Sequence, residues 1–355
     1  MSFPFLQPYA GLSNSLQTAQ AGGAGGAGGV GGWVELGRTT ASGSEYSVSS
    51  LTDKRYYMIL THAIPSGNCE TGYRLNGDTG SNYASRHSKN GSEGTNTSAT
   101  DWHLYAEVTP TQPNFTVSYL SNLSSKEKLH LGHNVFSTTG ASNAPSRREF
   151  AQKWANTSNP VSSLTVRDRG HTGSFGSGET IVLGWDPDDT HTSNFWEELA
   201  SVNGDGTSST LSSGTFTAKK YLWIQAFVDA PTSVNMEINL GNGSVDTGTN
   251  YSYRSSGNGA TDATATSQTK IALDAGAPTV PSFMNLFIIN NSSNEKLVIA
   301  HQVDGNTAGA ATAPDRRETV GKWTNTSNQA NIIDFKNTTA TNLTSSSILK
   351  VWGSN

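Results

Sequence analysis

An internal duplication constrains the fold of this chain more than any other feature of its sequence. Residues 144–159 and residues 313–328 share Ala-Pro, Arg-Arg-Glu, Lys-Trp and Asn-Thr-Ser-Asn at identical spacing. A chain of 355 residues can hold two copies of roughly 160 residues, each long enough to bury about two-thirds of its unfolded surface. We therefore expect two domains with the same fold.

Composition and periodicity predict β-structure in both copies. Charged residues are only 14% of the chain, and the abundant Gly, Ser, Thr and Asn favour short strands joined by polar turns. The apolar run 55–60, which returns at 220–225, predicts a central strand buried on both faces. The Asn-Gly pairs at 90–91 and 258–259 predict hairpin tips because both residue types tolerate positive φ.

These patterns predict an all-β fold with about six to eight strands in each copy. The fold class is two tandem antiparallel β-sandwich domains, jelly-roll-like, that arose by internal duplication and follow an extended N-terminal arm. We place the arm and its tether at 1–32, domain 1 at 33–188 and domain 2 at 189–355. A terminal strand closes each domain, and we match Ile181–Trp185 with Ile348–Trp352.

The N-terminal arm combines an apolar peptide with a glycine-rich segment. Residues 1–20 carry no charge, and residues 21–32 have the composition of a flexible tether. We expect the arm to anchor the chain to a neighbouring protein; a loose tail is the alternative. The predicted anchor residues are Phe3, Phe5, Leu6, Tyr9, Leu12 and Leu16.

Charge and hydropathy argue against several classes of partner. The net charge is −5, and no stripe of Lys and Arg occurs, so we expect no binding to nucleic acid. No apolar run reaches 18 residues, so we expect no insertion into a membrane. The start of the chain lacks the pattern of a secretory signal. The single cysteine, Cys69, cannot form a disulfide within the chain.

Two Asp-Thr-Gly motifs raise the possibility of an aspartic protease. Asp78 and Asp246 begin these motifs in the two copies, as the two catalytic aspartates of that family do in its two lobes. Turn residues precede both motifs here, whereas the family places an apolar strand before each. We therefore interpret both as Asx-type turns and keep the protease as a remote alternative. We expect no enzyme activity.

The repeated arginines are candidate surface contacts for a ligand. Arg147, Arg148, Arg316 and Arg317 could hold a sugar or a phosphate through bidentate hydrogen bonds. A structural role is the stronger interpretation. In it, one Arg of each copy stacks on Trp154 or Trp323 and the other pairs with the adjacent Glu.

Other candidate sites have weaker patterns. Asp186, Asp188, Asp189 and His191 could bind calcium, but their spacing fits no known loop, so we predict a solvated linker without metal or cofactor. The strand-end histidines His133 and His301 lack identifiable catalytic partners. The eight tryptophans could form a carbohydrate platform, yet their repeated positions favour core or interdomain packing.

The sequence resembles repeated β-sandwich modules in virion structural proteins of tailed bacteriophages, especially marine ones. The resemblance rests on residues 74–83, on the Arg-Arg-Glu and Lys-Trp element, and on residues 176–185, and it covers both copies. It implies a non-enzymatic capsid-decorating or fibre subunit, often trimeric. Such a subunit would be made in the host cytoplasm and located in the virion. Its partners would be other virion proteins.

Two alternatives from the binding and capsid classes stay open. The chain could be a module that binds a glycan or receptor on the host surface through its aromatic residues and hairpin tips. It could also be a major capsid protein in which the two barrels form a double jelly roll.

Overall fold

The fold is known from a computed structural model. The structure describes residues 32–105, 112–136, 139–170, 173–189, 194–230, 234–273, 281–305 and 309–355. The predicted arm, with anchor residues from Phe3 to Leu16, and His191 of the linker lie outside the described residues. The described residues form strands and turns, and none of their segments is a helix long and apolar enough to cross a bilayer.

Domain 1 contains twelve strands in its described part. They are β1 Val34–Thr40, β2 Glu45–Ser49, β3 Tyr56–Pro65, β4 Thr71–Leu75, β5 Tyr83–Lys89, β6 Ser92–Ala99, β7 Trp102–Tyr105, β8 Asn114–Ser121, β9 Lys128–Phe136, β10 Ser146–Trp154, β11 Ser163–Asp168 and β12 Phe175–Trp185.

Domain 2 contains thirteen strands in its described part. They are β13 Glu197–Asn203, β14 Thr210–Ser212, β15 Tyr221–Val228, β16 Met236–Asn242, β17 Ser244–Val245, β18 Tyr251–Gly257, β19 Ala263–Gln268, β20 Ile271–Ala272, β21 Ser282–Ile289, β22 Lys296–Asp304, β23 Asp315–Trp323, β24 Ile332–Asn337 and β25 Ile348–Ser354.

The strand order is the same in the two domains. Large sheet 1 has the order β1-β12-β3-β8-β9-β10-β5-β6, and large sheet 2 has the equivalent order β13-β25-β15-β21-β22-β23-β18-β19. Small sheet 1 is β2-β11-β4-β7, and small sheet 2 is β14-β24-β16-β17, with β20 also paired to β16. All pairings are antiparallel. The predicted all-β fold with two antiparallel β-sandwich domains is confirmed.

Three apolar cores hold four layers of sheet together. One core lies between the two sheets of each domain, with Trp102 and Trp154 in domain 1 and Trp323 in domain 2. The third core lies between the two large sheets and contains Leu60 of β3 and Tyr221 of β15. Large sheet 1 is therefore buried on both faces over part of its area, as predicted for the run 55–60.

Several local predictions are confirmed, and the strand count is wrong. Asn90 and Asn258 have φ of 49° and 52° at the tips of the β5–β6 and β18–β19 hairpins, and each is followed by a glycine with positive φ. The expected six to eight strands per copy are too few. The missed strands belong mainly to the small sheets, whose short segments carry Gly, Ser and Thr instead of long apolar runs.

The strand register also corrects the alignment of the terminal strands. Gly184 lies opposite Tyr57, and Gly353 lies opposite the equivalent Leu222, so these two glycines correspond. A Cβ on Gly184 would lie 2.5 Å from a methyl of Leu36, and a Cβ on Gly353 would lie 2.6 Å from the equivalent methyl of Leu199. The close approach of a leucine therefore requires glycine at both positions. In this alignment Trp185 and Trp352, the tryptophans of the two terminal strands, are not equivalent.

Candidate functional site

An open apolar groove lies on the outer face of large sheet 1. Its volume is about 600 Å³, and its lining contains no Asp, Glu, Lys or Arg among the described residues. Tyr56 stacks on Trp185 with ring centroids 5.4 Å apart, and Trp33 packs against both Trp185 and Tyr119. The remaining lining residues include Leu129, Leu131 and Ala151.

The equivalent surface of domain 2 is covered by domain 1. By strand register, Tyr56 of domain 1 is equivalent to Tyr221 of domain 2, Leu129 to Leu297 and Leu131 to Ile299. The exposed fractions of Tyr56, Leu129 and Leu131 are 37%, 58% and 55%, whereas those of their counterparts are 1%, 0% and 2%. The groove is therefore the half of a duplicated apolar surface that domain 2 buries and domain 1 leaves open.

The opposite ends of the two large sheets show the reverse pattern. Phe115 and Val135 of domain 1 are 1% and 0% exposed in the interdomain core. Their counterparts in domain 2, Phe283 and Val303, are 43% and 42% exposed. In each large sheet, one end of the outer face thus packs against the other domain, and the opposite end faces solvent.

A polar cluster borders the interdomain core. The rings of the equivalent residues His133 and His301 lie 3.9 Å apart at the domain boundary. Burial, His301 and Arg147 lower the pKa of His133 well below its usual value. Nearby, Arg147 donates hydrogen bonds of 2.7 and 3.3 Å to Asp262 of the β18–β19 hairpin. The two histidines therefore lie in a packed interface between the domains.

The two Asp-Thr-Gly motifs form equivalent structural turns. Asp78 accepts hydrogen bonds from Gly80 N at 2.8 Å, Asn82 Nδ2 at 2.9 Å and Trp154 Nε1 at 2.7 Å. Asp246 accepts the same three bonds in domain 2, including one of 2.7 Å from Trp323 Nε1. The predicted Asx turns are confirmed, and they explain why the Lys-Trp element is repeated.

The electrostatics of these carboxylates oppose their use as a catalytic dyad. Partial burial raises the pKa of Asp78 and of Asp246, but the hydrogen bonds from tryptophan, asparagine and glycine outweigh it and lower both pKa values. An aspartic-protease dyad shares one proton between two adjacent carboxyl groups. Here each carboxylate is bound within its own domain, so these residues give the protease alternative no support.

We expect Asp246→Ala to destabilise the protein by about 1–2 kcal/mol, because three donors lose their acceptor at a partly solvated site. Denaturant unfolding of the variant measures this loss. Thr247→Ala, at the exposed neighbouring residue, is the matched control and should change stability by less than about 0.5 kcal/mol. Unchanged stability together with loss of a peptidase activity would contradict the turn role.

The four candidate arginines occupy unlike environments. Arg147 and Arg148 are only 3% and 2% exposed, so the prediction that they contact ligands at the surface does not fit their positions. The side chain of Arg316 is 58% exposed and pairs with Glu318, and Arg317 donates to Ser255. Ligand binding by Arg316 and Arg317 stays a prediction.

The expected arginine stacking on tryptophan is wrong. Lys128 lies over the ring of Trp154 at 5.8 Å, and Lys296 lies over Trp323 at 5.7 Å. The register explains this, because Lys128 pairs directly with Trp154, whereas Arg147 lies at the opposite end of β10. The expected Arg–Glu ion pairs do form, between Arg147 and Glu149 and between Arg316 and Glu318.

The aromatic side chains of the groove suit an apolar partner better than a sugar. Sugar recognition needs convergent polar groups beside an aromatic platform. Gln152 is one of the few polar residues in the lining, and its amide is already bonded to His130 and to the His103 carbonyl. Five tryptophans are buried as predicted, and Trp33 and Trp185 instead line the groove.

The linker carboxylates are used by domain 1 and do not form a metal site among the described residues. Asp189 pairs with Lys54 at 2.5 Å, and Asp186 accepts a hydrogen bond from the Arg55 amide at 3.2 Å. No cluster of three or more metal-ligating side chains occurs in the described ranges. The domain boundary between residues 188 and 189 stays a prediction.

Comparisons with known proteins find only distant similarity. The sequence matches no protein-family model, and no curated protein matches it. Among solved structures, domains LG4–5 of the mouse laminin alpha1 chain are 10% identical over 93% of this chain and 90% of that one, with a TM-score of 0.18. Ail of Yersinia pestis is 4% identical over 77% and 98%, with a TM-score of 0.14. Similarity this low supports no functional inference.

Sequence reasoning missed the groove. Tyr119, Leu129 and Leu131 lie in alternating strands whose equivalents in domain 2 are buried, so their residue types alone do not distinguish an open face from a covered one. The available signal was the unbroken apolar run around Tyr56, which indicates an apolar outer face as well as an apolar inner face.

Proposed function

We propose that this chain is a non-enzymatic structural subunit of a larger particle, of the capsid-decorating or fibre type found in phage virions. One observation supports the proposal above all: an uncharged groove with Leu129 and Leu131 more than half exposed. Contiguous exposed apolar patches in soluble proteins usually mark interaction surfaces. Burial of such a surface drives association and requires no catalytic residue.

The proposed partners are other virion proteins and further copies of this chain, with the virion as the site of action after synthesis in the host cytoplasm. The uncharged N-terminal arm adds a second apolar element that assembly would bury. An ordered arm loses conformational entropy, and burial of its apolar side chains against a partner offsets that loss. Together, groove and arm favour an assembly role over a glycan-binding one.

Leu131→Lys in the full chain tests the role of the groove. We expect a folded variant, because Leu131 is 55% exposed, but at least ~tenfold less incorporation into particles, because a lysine charge would be buried at the contact. Particles purified from producing cells are assayed for this chain by mass spectrometry. Leu123→Lys is the matched control, since Leu123 is 44% exposed and lies outside the groove.

Equal incorporation of the two variants would contradict an assembly role for the groove. Absence of the unmodified chain from purified particles would contradict the virion proposal itself. Retention of a glycan by the unmodified chain and its loss in Leu131→Lys would instead favour the binding module.

A further inference from the structure

We propose that the groove on large sheet 1 binds the N-terminal arm, residues 1–20, of a neighbouring molecule of the same protein. This inference goes beyond the proposed function, because it would hold for any self-assembling protein with this structure. It rests on the internal symmetry of the chain, on the residues next to Trp33 and on the chemistry of the arm.

In domain 2, an aromatic residue of the segment that enters the domain packs on the equivalent surface in addition to domain 1. There the residue before Trp196 is Phe195, whose ring lies 5.0 Å from Trp196 and 6.4 Å from Tyr221. Trp196 and Tyr221 are the counterparts of Trp33 and Tyr56 in the groove. An aromatic side chain from the segment that enters the domain therefore packs on this surface in domain 2.

Domain 1 lacks this aromatic side chain. The residues before Trp33 are Gly31 and Gly32, which have no side chain to place over Tyr56. The apolar side chains that could fill the position lie further upstream, in residues 3–16. The apolar arm is thus joined through the glycine-rich tether to the groove of domain 1. The equivalent surface of domain 2 is covered.

Charge and apolar character match between the arm and the groove. Residues 1–32 contain no Asp, Glu, Lys, Arg or His, and the groove lining contains no Asp, Glu, Lys or Arg among the described residues. Docking therefore buries no unpaired ionised side chain of the arm. Each phenylalanine or leucine that becomes buried removes apolar surface from water, which favours docking.

The tether is long enough to carry the arm to the groove of a neighbouring molecule. Trp33 is itself part of the groove wall, so a short turn would suffice to return the arm to its own groove. The twelve residues 21–32 span about 19 Å on average as a glycine-rich coil and roughly 40 Å when extended. A spacer of this reach is suited to a contact between molecules.

Cysteine cross-linking of full-length protein tests the proposal. One preparation carries Leu6→Cys and a second, with a different tag, carries Leu129→Cys; the two are mixed under mild oxidation. The native Cys69 should not interfere, because it is 1% exposed and burial raises the pKa of its thiol to about 12. The control partner carries Leu123→Cys, an exposed position outside the groove.

We expect the disulfide-linked heterodimer to form at least ~tenfold more with Leu129→Cys than with Leu123→Cys. Equal yields with the two partners would overturn the proposal, as would the absence of heterodimer. A chain with both Leu6→Cys and Leu129→Cys distinguishes the source of the arm. If it forms only an internal disulfide at low concentration, the groove binds its own arm and the proposal is wrong. Because no particle is needed, this outcome is independent of the virion proposal.

Discussion

Unfolding experiments between pH 7.5 and pH 5.0 should show a loss of stability to which two buried histidines of domain 1 contribute about 4 kcal/mol. His62 is fully buried, and neither of its ring nitrogens has a hydrogen-bond partner among the described residues. His130 is 2% exposed and stacks on Trp102 at 4.5 Å. Burial lowers the pKa of each to about 4.

The sign of the effect follows from which state binds the proton first. The usual histidine pKa is 6.5, so as pH falls the unfolded chain is protonated before the folded chain. Above about pH 6.5 neither state is protonated and the two histidines have no effect on stability. Between 6.5 and 4 each removes about 1.4 kcal/mol per pH unit, which is about 2 kcal/mol each at pH 5.

Neighbouring groups modify this shift without reversing it. Lys220 lowers the pKa of His62 further, and Glu179 raises it; the hydrogen bond that His130 Nδ1 donates to Gln152 Oε1 raises the pKa of His130. Burial is the largest cause in both cases. Most carboxylates titrate near pH 4, below this window, so a loss of stability between pH 6.5 and 5 reports the histidines.

His130→Phe, which keeps an aromatic ring against Trp102, should remove about 2 kcal/mol of the stability loss between pH 7.5 and pH 5.0. Denaturant midpoints at pH 7.5 and 5.0 give the difference for each variant. Asp205→Asn is the control, since its exposed carboxylate titrates below the window, and it should leave the pH dependence unchanged. Equal stability of the unmodified protein at the two pH values would contradict the prediction.

The sequence predicts the fold class and the hairpins because their signals are local. Asn90 and Asn258 adopt positive φ at the tips that Asn-Gly pairs indicate, and Asp78 forms the turn that its preceding residues favour. Such features depend on a few neighbouring residues and recur in both copies. Pattern and duplication together therefore establish a two-domain antiparallel sandwich.

The open groove could not be predicted because it depends on how two similar surfaces pack. Leu129 and Leu297 are the same residue type at the same register, yet one is 58% exposed and the other is buried. Alternation predicts which face of a strand is apolar, but not which half of that face another domain covers. The unequal use of the two large sheets becomes visible only when the domains are placed together.

Removal of Arg147 should destabilise the protein by about 3 kcal/mol, because it leaves a buried carboxylate without its main partner. The side chains of Arg147 and Asp262 are 4% and 1% exposed, and the shortest contact between them is 2.7 Å. Arg254, the next nearest cation, is 3.9 Å from Asp262. Because Asp262 belongs to domain 2, Arg147→Met should also weaken the coupling between the domains, seen as a broader or two-step unfolding transition.

The duplication supplies the matched control for this variant. Arg316 is the counterpart of Arg147, but its side chain is 58% exposed and pairs with Glu318, so Arg316→Met should change stability by less than about 0.5 kcal/mol. Adding Asp262→Leu to Arg147→Met should restore much of the loss, since the fully buried carboxylate is then removed together with its main partner. An equal loss of stability in the two arginine variants would contradict the structural role assigned to the buried interdomain ion pair between Arg147 and Asp262.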